Sequence, residues 1–426
     1  MCCGDSPSNV SEGPAYDPDS AMTVQAQLNI EAGDRLARRN ALLLAVAQSV
    51  GGATASIVVA LGGLAGHELL GSDKSFATLP VTFFVLGTAC GTLPAGYIMR
   101  HLGRRNAYMG AAVLGGLGGL LACLGIIQAS FVTLLIGTMG CGIAGAFVQS
   151  YRFAAADTAS DAFRPKAISW VMAGGLIAGI VGPQTVIATK DMLAPIMFAG
   201  SFAAIAVLNT IGFCLVFFVR IPKPTAEERA VSGRPILTII RQERFIVAVA
   251  CGIGSYALMS FVMTATPLAM IACGHTQTDA ALAIQWHVLA MYIPSFFTGS
   301  LIARFGKSRI VALGLTLLVG CGIVALSGVA VEDFWFALIL LGLGWNFGFI
   351  GATSMVTDTY RPEERTKVQA TNDFLVFGFV AMASFASGNV LNDYGWQTIN
   401  WMLFPVVAFC LALLVWLAIR ERRASF

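Results

Sequence analysis

The sequence predicts an all-α membrane protein with twelve transmembrane helices in two pseudo-symmetric six-helix halves. Three observations predict it. Hydrophobic residues make up 57% of the 426 and charged residues only 12%, about half the charged share of a soluble domain. The apolar residues come in blocks of about 20, enough at about 1.5 Å per residue to cross a hydrocarbon layer ~30 Å thick. Placing the N-terminus in the cytoplasm puts 24 of the 26 Lys and Arg residues on the cytoplasmic side, leaving only Lys74 and Lys190 outside. Cytoplasmic loops retain positive charge, so the pattern requires an even number of spans and both termini inside.

Residues 1–40 are polar, without an apolar signal region, and are expected to be a disordered cytoplasmic segment. Met22 offers a second start, which would leave residues 1–21 outside the protein. The N-terminal half, 41–219, is read as spans Ala41 to Leu64, Phe76 to Met99, Asn106 to Ile127, Phe131 to Tyr151, Ala167 to Ala188 and Ala194 to Val219. A charged cytoplasmic linker, 220–244, carries Lys223, Glu227, Glu228, Arg229, Arg234 and Arg241. The C-terminal half, 245–419, is read as Phe245 to Ala272, Ala281 to Ile302, Ile310 to Ala330, Phe334 to Met355, Ala370 to Leu391 and Gln397 to Ile419, before a cytoplasmic tail, 420–426.

The halves repeat each other at a shift of about 200 residues, as duplicated carrier folds do. Gly96, His101 and Gly103 match Gly299, Arg304 and Gly306; Gly140, Gly142 and Phe147 match Gly342, Gly344 and Phe349; Asp161, Phe163, Arg164 and Pro165 match Asp358, Tyr360, Arg361 and Pro362.

The net charge of +3 reports topology and no nucleic-acid partner, because the bases sit in short clusters between apolar blocks. The cysteines lie largely inside those blocks without metal-ligand spacing and read as small packing residues. No cofactor is expected. A phosphate-binding Gly-x-x-x-x-Gly-Lys loop and a cluster of titratable residues within the spans are both missing, against ATP-driven transport and intramembrane catalysis.

With these motifs the chain resembles the major facilitator superfamily over about residues 36–420. The family's loop between helices two and three is written G-x-x-x-D-R/K-x-G-R-R/K. Here Gly96, Gly103, Arg104 and Arg105 fit, while Arg100 replaces the acid. The second copy keeps Gly306, Lys307 and Arg309 but has Ala303 at the acidic position. The resemblance implies a gating loop. Without its acid, the bases Arg104, Arg105, Lys307 and Arg309 are expected to pair with Asp157, Asp161, Asp358 or Glu363, or only to set topology and meet lipid phosphates. Helix four has Gly140 and Gly142 without the family's upstream arginine, and in helix five Gly182-Pro183 is followed by Gln184 to Ile187 instead of paired glycines, against an efflux antiporter. Segments Tyr151 to Asp157 and Gly344 to Thr353 look like a bacterial subgroup that includes riboflavin importers.

Polar residues in a span face a cavity or another helix. Gln48, Gly52 and Ser56, and likewise Tyr256, Ser260 and Thr264, repeat every four residues and share a helix face. The resemblance implies that helices one, four, seven and ten line the cavity, so Gln48, Gln149, Tyr256, Ser260, Trp345 and Asn346 are candidate solute contacts, with Gln285 and Tyr292 from helix eight. Alternatively, such groups satisfy backbone carbonyls and pack helices. No Lys or Arg falls inside the predicted spans, and Asp373 is the one carboxylate, which suits a neutral or weakly charged organic solute. His287 and Asp373 are the candidates for proton coupling; the competing readings are a packing histidine and a helix N-cap at Asn372-Asp373. The expectation is a monomeric carrier in the bacterial inner membrane, in contact with lipid, moving a small solute by alternating access, with riboflavin uptake the specific form. Drug or metabolite efflux and a nontransporting sensor are the alternatives.

Overall fold

The computed structural model describes residues 18–71, 75–157, 159–160, 163–221, 234–361 and 364–424. Of the residues named above, Lys74, Asp161, Lys223, Glu227, Glu228, Arg229, Pro362 and Glu363 lie outside them, as do the side chains of Met22, Asp157, Arg164 and Pro165. In hydrocarbon every backbone N–H and C=O must be bonded within the chain, and only helices satisfy this segment by segment. The described residues form α1 Pro18–Leu69, α2 Leu79–Leu102, α3 Arg104–Ile127, α4 Phe131–Val148, α5 Tyr151–Asp157, α6 Arg164–Thr189 and α7 Ala199–Phe217. A short linker helix, α8 Ile236–Ile240, leads to α9 Glu243–Ala272, α10 Gln277–Tyr292, α11 Ser295–Phe305, α12 Lys307–Ser327, α13 Val331–Val356, α14 Arg365–Trp401 and α15 Leu403–Ala424. Eleven described segments are long and apolar enough to cross a membrane, and the pair α10 and α11, bent by 42°, makes a twelfth. An even count puts both termini on one side, here called the terminal face.

Several boundaries differ from the sequence reading. Helix α1 already runs through residues 34–40, correcting the disorder expected to residue 40: Asp34 accepts from the Ser160 N–H at 3.0 Å and hydroxyl at 2.9 Å, and Asn40 exchanges bonds with the backbone of Arg220 at 2.8 and 3.1 Å. The eighth span is broken at Ile293-Pro294, between α10 and α11, instead of continuous. The eleventh runs beyond Leu391 to Gly395, whose φ of 80° breaks it, and the twelfth starts at Leu403. Asp373 lies inside α14, eight residues from its start, and takes its bond at 3.0 Å from Asn372, so it is not an N-cap.

The internal repeat is visible in the backbone. Gly103 joins α2 to α3 with φ 81°, ψ 156°, and Gly306 joins α11 to α12 with φ 89°, ψ 153°. That region is open essentially to glycine alone, so the same hinge residue recurs in both halves. Helices within a half approach closely: a Cβ on Gly142 would lie 1.9 Å from the Phe84 carbonyl oxygen, and one on Gly314 would lie 2.2 Å from the Gly348 nitrogen.

The halves meet toward the face opposite the termini. There the Thr82 hydroxyl donates to Ser384 at 3.2 Å, Gln184 donates to Gln285 at 2.8 Å, and Lys190 reaches Gln277 at 3.5 Å. Phe76 stacks on Phe385 with centroids 6.3 Å apart. On the terminal face of the C-terminal half, ion pairs tie the described residues of that half and its linker together. Asp358 holds both Lys307 and Arg244, and Arg234 clasps the buried Glu364 at 2.7 Å. The Arg234 hydrogen bonds hold the Glu364 carboxyl well below the usual carboxylate range. That clasp fixes the linker to the C-terminal half.

A Cβ on Gly388 would fall 2.2 Å from Oγ1 and 3.1 Å from Cβ of Thr78, across the closed opposite face. Gly388→Val is expected to hold that face apart, so that a cysteine replacing the buried Thr82 becomes reactive to a membrane-impermeant maleimide from that side. Unchanged reactivity would show that the contact does not govern closure.

Candidate functional site

The sequence analysis expects a cavity between the halves, and one of about 1180 Å³ lies there, mouth included. Helix α1 contributes Gln48, Gly52 and Ser56, the stripe expected from four-residue spacing; α9 contributes Tyr256 and Ser260. Gln149 follows the end of α4, and Tyr292 closes α10. Among the described residues, the Gln48 and Gln149 amides and the hydroxyls of Ser56, Tyr256, Ser260 and Tyr292 make no hydrogen bond within the protein, and all six side chains line the cavity. Polar groups without internal partners at this depth are costly unless water or a solute meets them.

The largest polar groups of the cavity gather at one end, with Thr54, Ser56, Thr88, Asn209 and Ser260 elsewhere in its lining. Toward the terminal face it shows Gln48, Gln149, Tyr256 and Tyr292; toward the opposite face it is walled by Val59, Val81, Phe84, Val85, Met263 and Ile284. Tyr256 also anchors an aromatic cluster, edge-on to Trp345 at 5.3 Å, Phe349 at 5.0 Å and Phe377 at 5.5 Å, and Trp345 stacks on Phe349 at 5.3 Å. Phe377 reaches the cavity wall, whereas Trp345 sits behind Tyr256 with its indole Nε1 buried and unbonded.

Three candidate contacts lie elsewhere. Asn346 has no exposed surface: its Nδ2 donates to the Met291 carbonyl at 2.6 Å and Ser295 Oγ at 2.7 Å, and its Oδ1 accepts from the Thr298 hydroxyl at 2.6 Å. These partners flank the break between α10 and α11, so Asn346 secures the bend of the eighth span. Gln285 belongs to the contact between the halves, and Trp345 supports the wall without facing the cavity. Thr264, the third member of its stripe, bonds Ser384 at 3.4 Å. His287 is fully buried, with Nδ1 donating to the Leu338 carbonyl at 2.9 Å, and does not line the cavity.

Of the gating bases, Lys307 pairs with Asp358, one of the expected acids, but within its own half. Arg105 instead stacks 4.7 Å over the Phe217 ring, and Arg309 is exposed. Gly96 and Gly299 have nothing near their Cα faces. The sequence reading missed Thr54 and Asn209, which bond each other at 3.3 Å in the cavity wall, and Phe377. Asn209 carried a signal as a lone mid-span amide, while nothing distinguishes Phe377 from other phenylalanines. Arg152, counted from the sequence among the cytoplasmic bases, lies instead within the fourth span, on α5.

Asn346→Ala removes three short hydrogen bonds from a dry site and is expected to cost about 2–3 kcal/mol. The result to look for is a lowered unfolding temperature in detergent with the KM of the folded fraction unchanged. A raised KM at normal stability would return Asn346 to the solute site.

A family model described as the Major Facilitator Superfamily matches residues 41–370 and 249–425. The riboflavin transporter RfnT of Brucella anthropi is 54% identical over 381 residues, spanning 89% of this chain and 96% of that protein. An uncharacterized transporter of Bacillus subtilis, YdeG, is 29% identical over 88% of this chain and 92% of its own. Among solved structures, the nucleoside transporter NupG matches with a TM-score of 0.66 at 14% identity, over 89% of this chain and 99% of that one, a likeness of fold. Twelve spans, a repeated glycine hinge, a cavity between the halves and these matches agree: the chain belongs to the major facilitator superfamily of membrane transporters.

Proposed function

We propose that this protein takes up riboflavin across the bacterial inner membrane, with both termini in the cytoplasm. The observation that carries the reading is the 54% identity, over nearly the whole chain, to a riboflavin transporter. The cavity suits the same solute. Riboflavin is an uncharged planar ring system bearing a chain of hydroxyls; the apolar and aromatic walls match the ring, and the unbonded amides and hydroxyls match the polar groups.

The orientation rests on the distribution of Lys and Arg, 24 of 26 on the terminal side. Among the described residues, the side-chain hydrogen bonds between the halves lie toward the opposite face, so the solute path leads to the terminal face in this conformation. Transport then follows when the halves rock about the central site. His287 is held by a backbone carbonyl away from that path. Asp373, nearer the path, is the group through which a proton would couple to the movement.

A riboflavin-requiring bacterium expressing the protein is expected to grow at limiting riboflavin and to accumulate labelled riboflavin. Tyr256→Ala is expected to raise the KM about tenfold, the loss of about 1.4 kcal/mol of ring contact, while Leu313→Ala on the exposed lipid side leaves uptake unchanged. Absence of rescue despite normal membrane insertion would reject riboflavin as the solute.

A further inference from the structure

Two opposite charges stand just beyond the terminal-face end of the cavity lining, one from each half. Arg152 lies on α5, three residues beyond the cavity residue Gln149; Asp373 lies on α14, one turn before the cavity residue Phe377. Both side chains are half-buried. Among the described residues neither has an ion-pair partner: the Arg152 guanidinium rests 4.8 Å over the Phe153 ring with its Nε buried and unbonded, and Asp373 accepts one hydrogen bond, from Asn372. The Tyr256 and Tyr292 phenols line the cavity at this same end, beside Gln149. A guanidinium and a carboxylate thus stand just beyond the end of the cavity that carries two amides and two phenols, while its far end is walled by hydrocarbon.

We propose that Arg152 and Asp373 are solute-contacting residues that read the imide edge of the flavin ring. This rests on the riboflavin reading above. An imide edge presents a carbonyl acceptor, an N–H donor and a second carbonyl acceptor. A guanidinium supplies the donor for a carbonyl and a carboxylate the acceptor for the N–H, and charge-assisted bonds of this kind are stronger than neutral ones. The pair is neutral overall, so it grips an uncharged solute without leaving a net charge in the low-dielectric passage. The same placement fixes the ring's direction. The dimethylbenzene end enters the apolar pocket around Val59, Phe84, Met263 and Ile284, and the imide faces the terminal mouth. The ribityl hydroxyls then reach the amides of Gln48 and Gln149, whose hydrogen-bonding capacity the protein leaves unused.

The test is competition for labelled riboflavin uptake by riboflavin and by N3-methylriboflavin, which keeps the ring and ribityl chain but lacks the imide N–H. With the unmodified protein, the methylated compound is expected to compete about tenfold less well, the worth of one charge-assisted bond. Asp373→Asn is expected to raise the riboflavin KM about tenfold and to shrink the preference to about twofold or less, at unchanged membrane abundance. Arg152→Gln is expected to raise the KM similarly, with Arg152→Lys recovering part of it. Equal competition by the two compounds in the unmodified protein would overturn the assignment while leaving riboflavin uptake standing. So would restored uptake with the original preference in the charge-exchanged Arg152→Asp/Asp373→Arg protein, which would make the pair a latch between the halves. No uptake of riboflavin by the unmodified protein would remove the flavin reading and this inference with it.

Discussion

The structure depends on the cost of leaving a polar group unbonded in hydrocarbon, several kcal/mol for each. The cost first makes every span a helix. It then sorts the polar side chains of those helices into two sets. Asn346, His287, Thr264 and Thr298 are turned toward neighbouring helices and bonded there. Gln48, Gln149, Ser56, Tyr256, Ser260 and Tyr292 are turned toward the cavity and bonded to nothing in the protein. The second set marks where water and a solute belong, and its concentration at one end gives the passage a direction.

Close packing within each half makes the separation between halves possible. Glycines bring backbones to within carbonyl contact inside a half, as at Gly142 and Gly314, so each half moves as a body. Between the halves the polar contacts among the described residues are few, three side-chain amides, two hydroxyls and a lysine, beside a stacked phenylalanine pair and the approaches of Gly388 to Thr78 and of Gly175 and Gly179 to Tyr292 and Val288. Contacts of that kind can be exchanged at small cost for a similar set at the terminal face. The linker follows the C-terminal half through the Arg234–Glu364 clasp. Because the clasp holds Glu364 ionised far below neutral pH, its contribution is constant through the physiological range and is lost only as pH falls through the lowered value.

Much of this was legible in the sequence. Block length gave the spans, and the distribution of bases gave an even count. The Gly103 and Gly306 match gave the repeat, which the shared backbone geometry of the two glycines bears out. The α1 and α9 stripes were readable because four-residue spacing fixes a helix face. What spacing does not encode is which neighbour that face meets. Asn346 and Gln48 are both mid-span amides, yet one meets the broken eighth span and the other the cavity. The break itself depends on a local clash at Pro294, which removes a backbone donor, and on the three bonds Asn346 supplies. Arg152 read as a loop base because hydropathy ends the fourth span at Tyr151, whereas α5 extends that span to Ala155.

The central claim is that a solute occupies the space between the halves against the unbonded amides. The most direct measurement replaces Gln149 with the single cysteine of an otherwise cysteine-free protein and follows its reaction with a maleimide as riboflavin is added. The account predicts slowed labelling, half-maximal at a riboflavin concentration close to the KM for uptake. Labelling unaffected by riboflavin at concentrations that saturate uptake would contradict it.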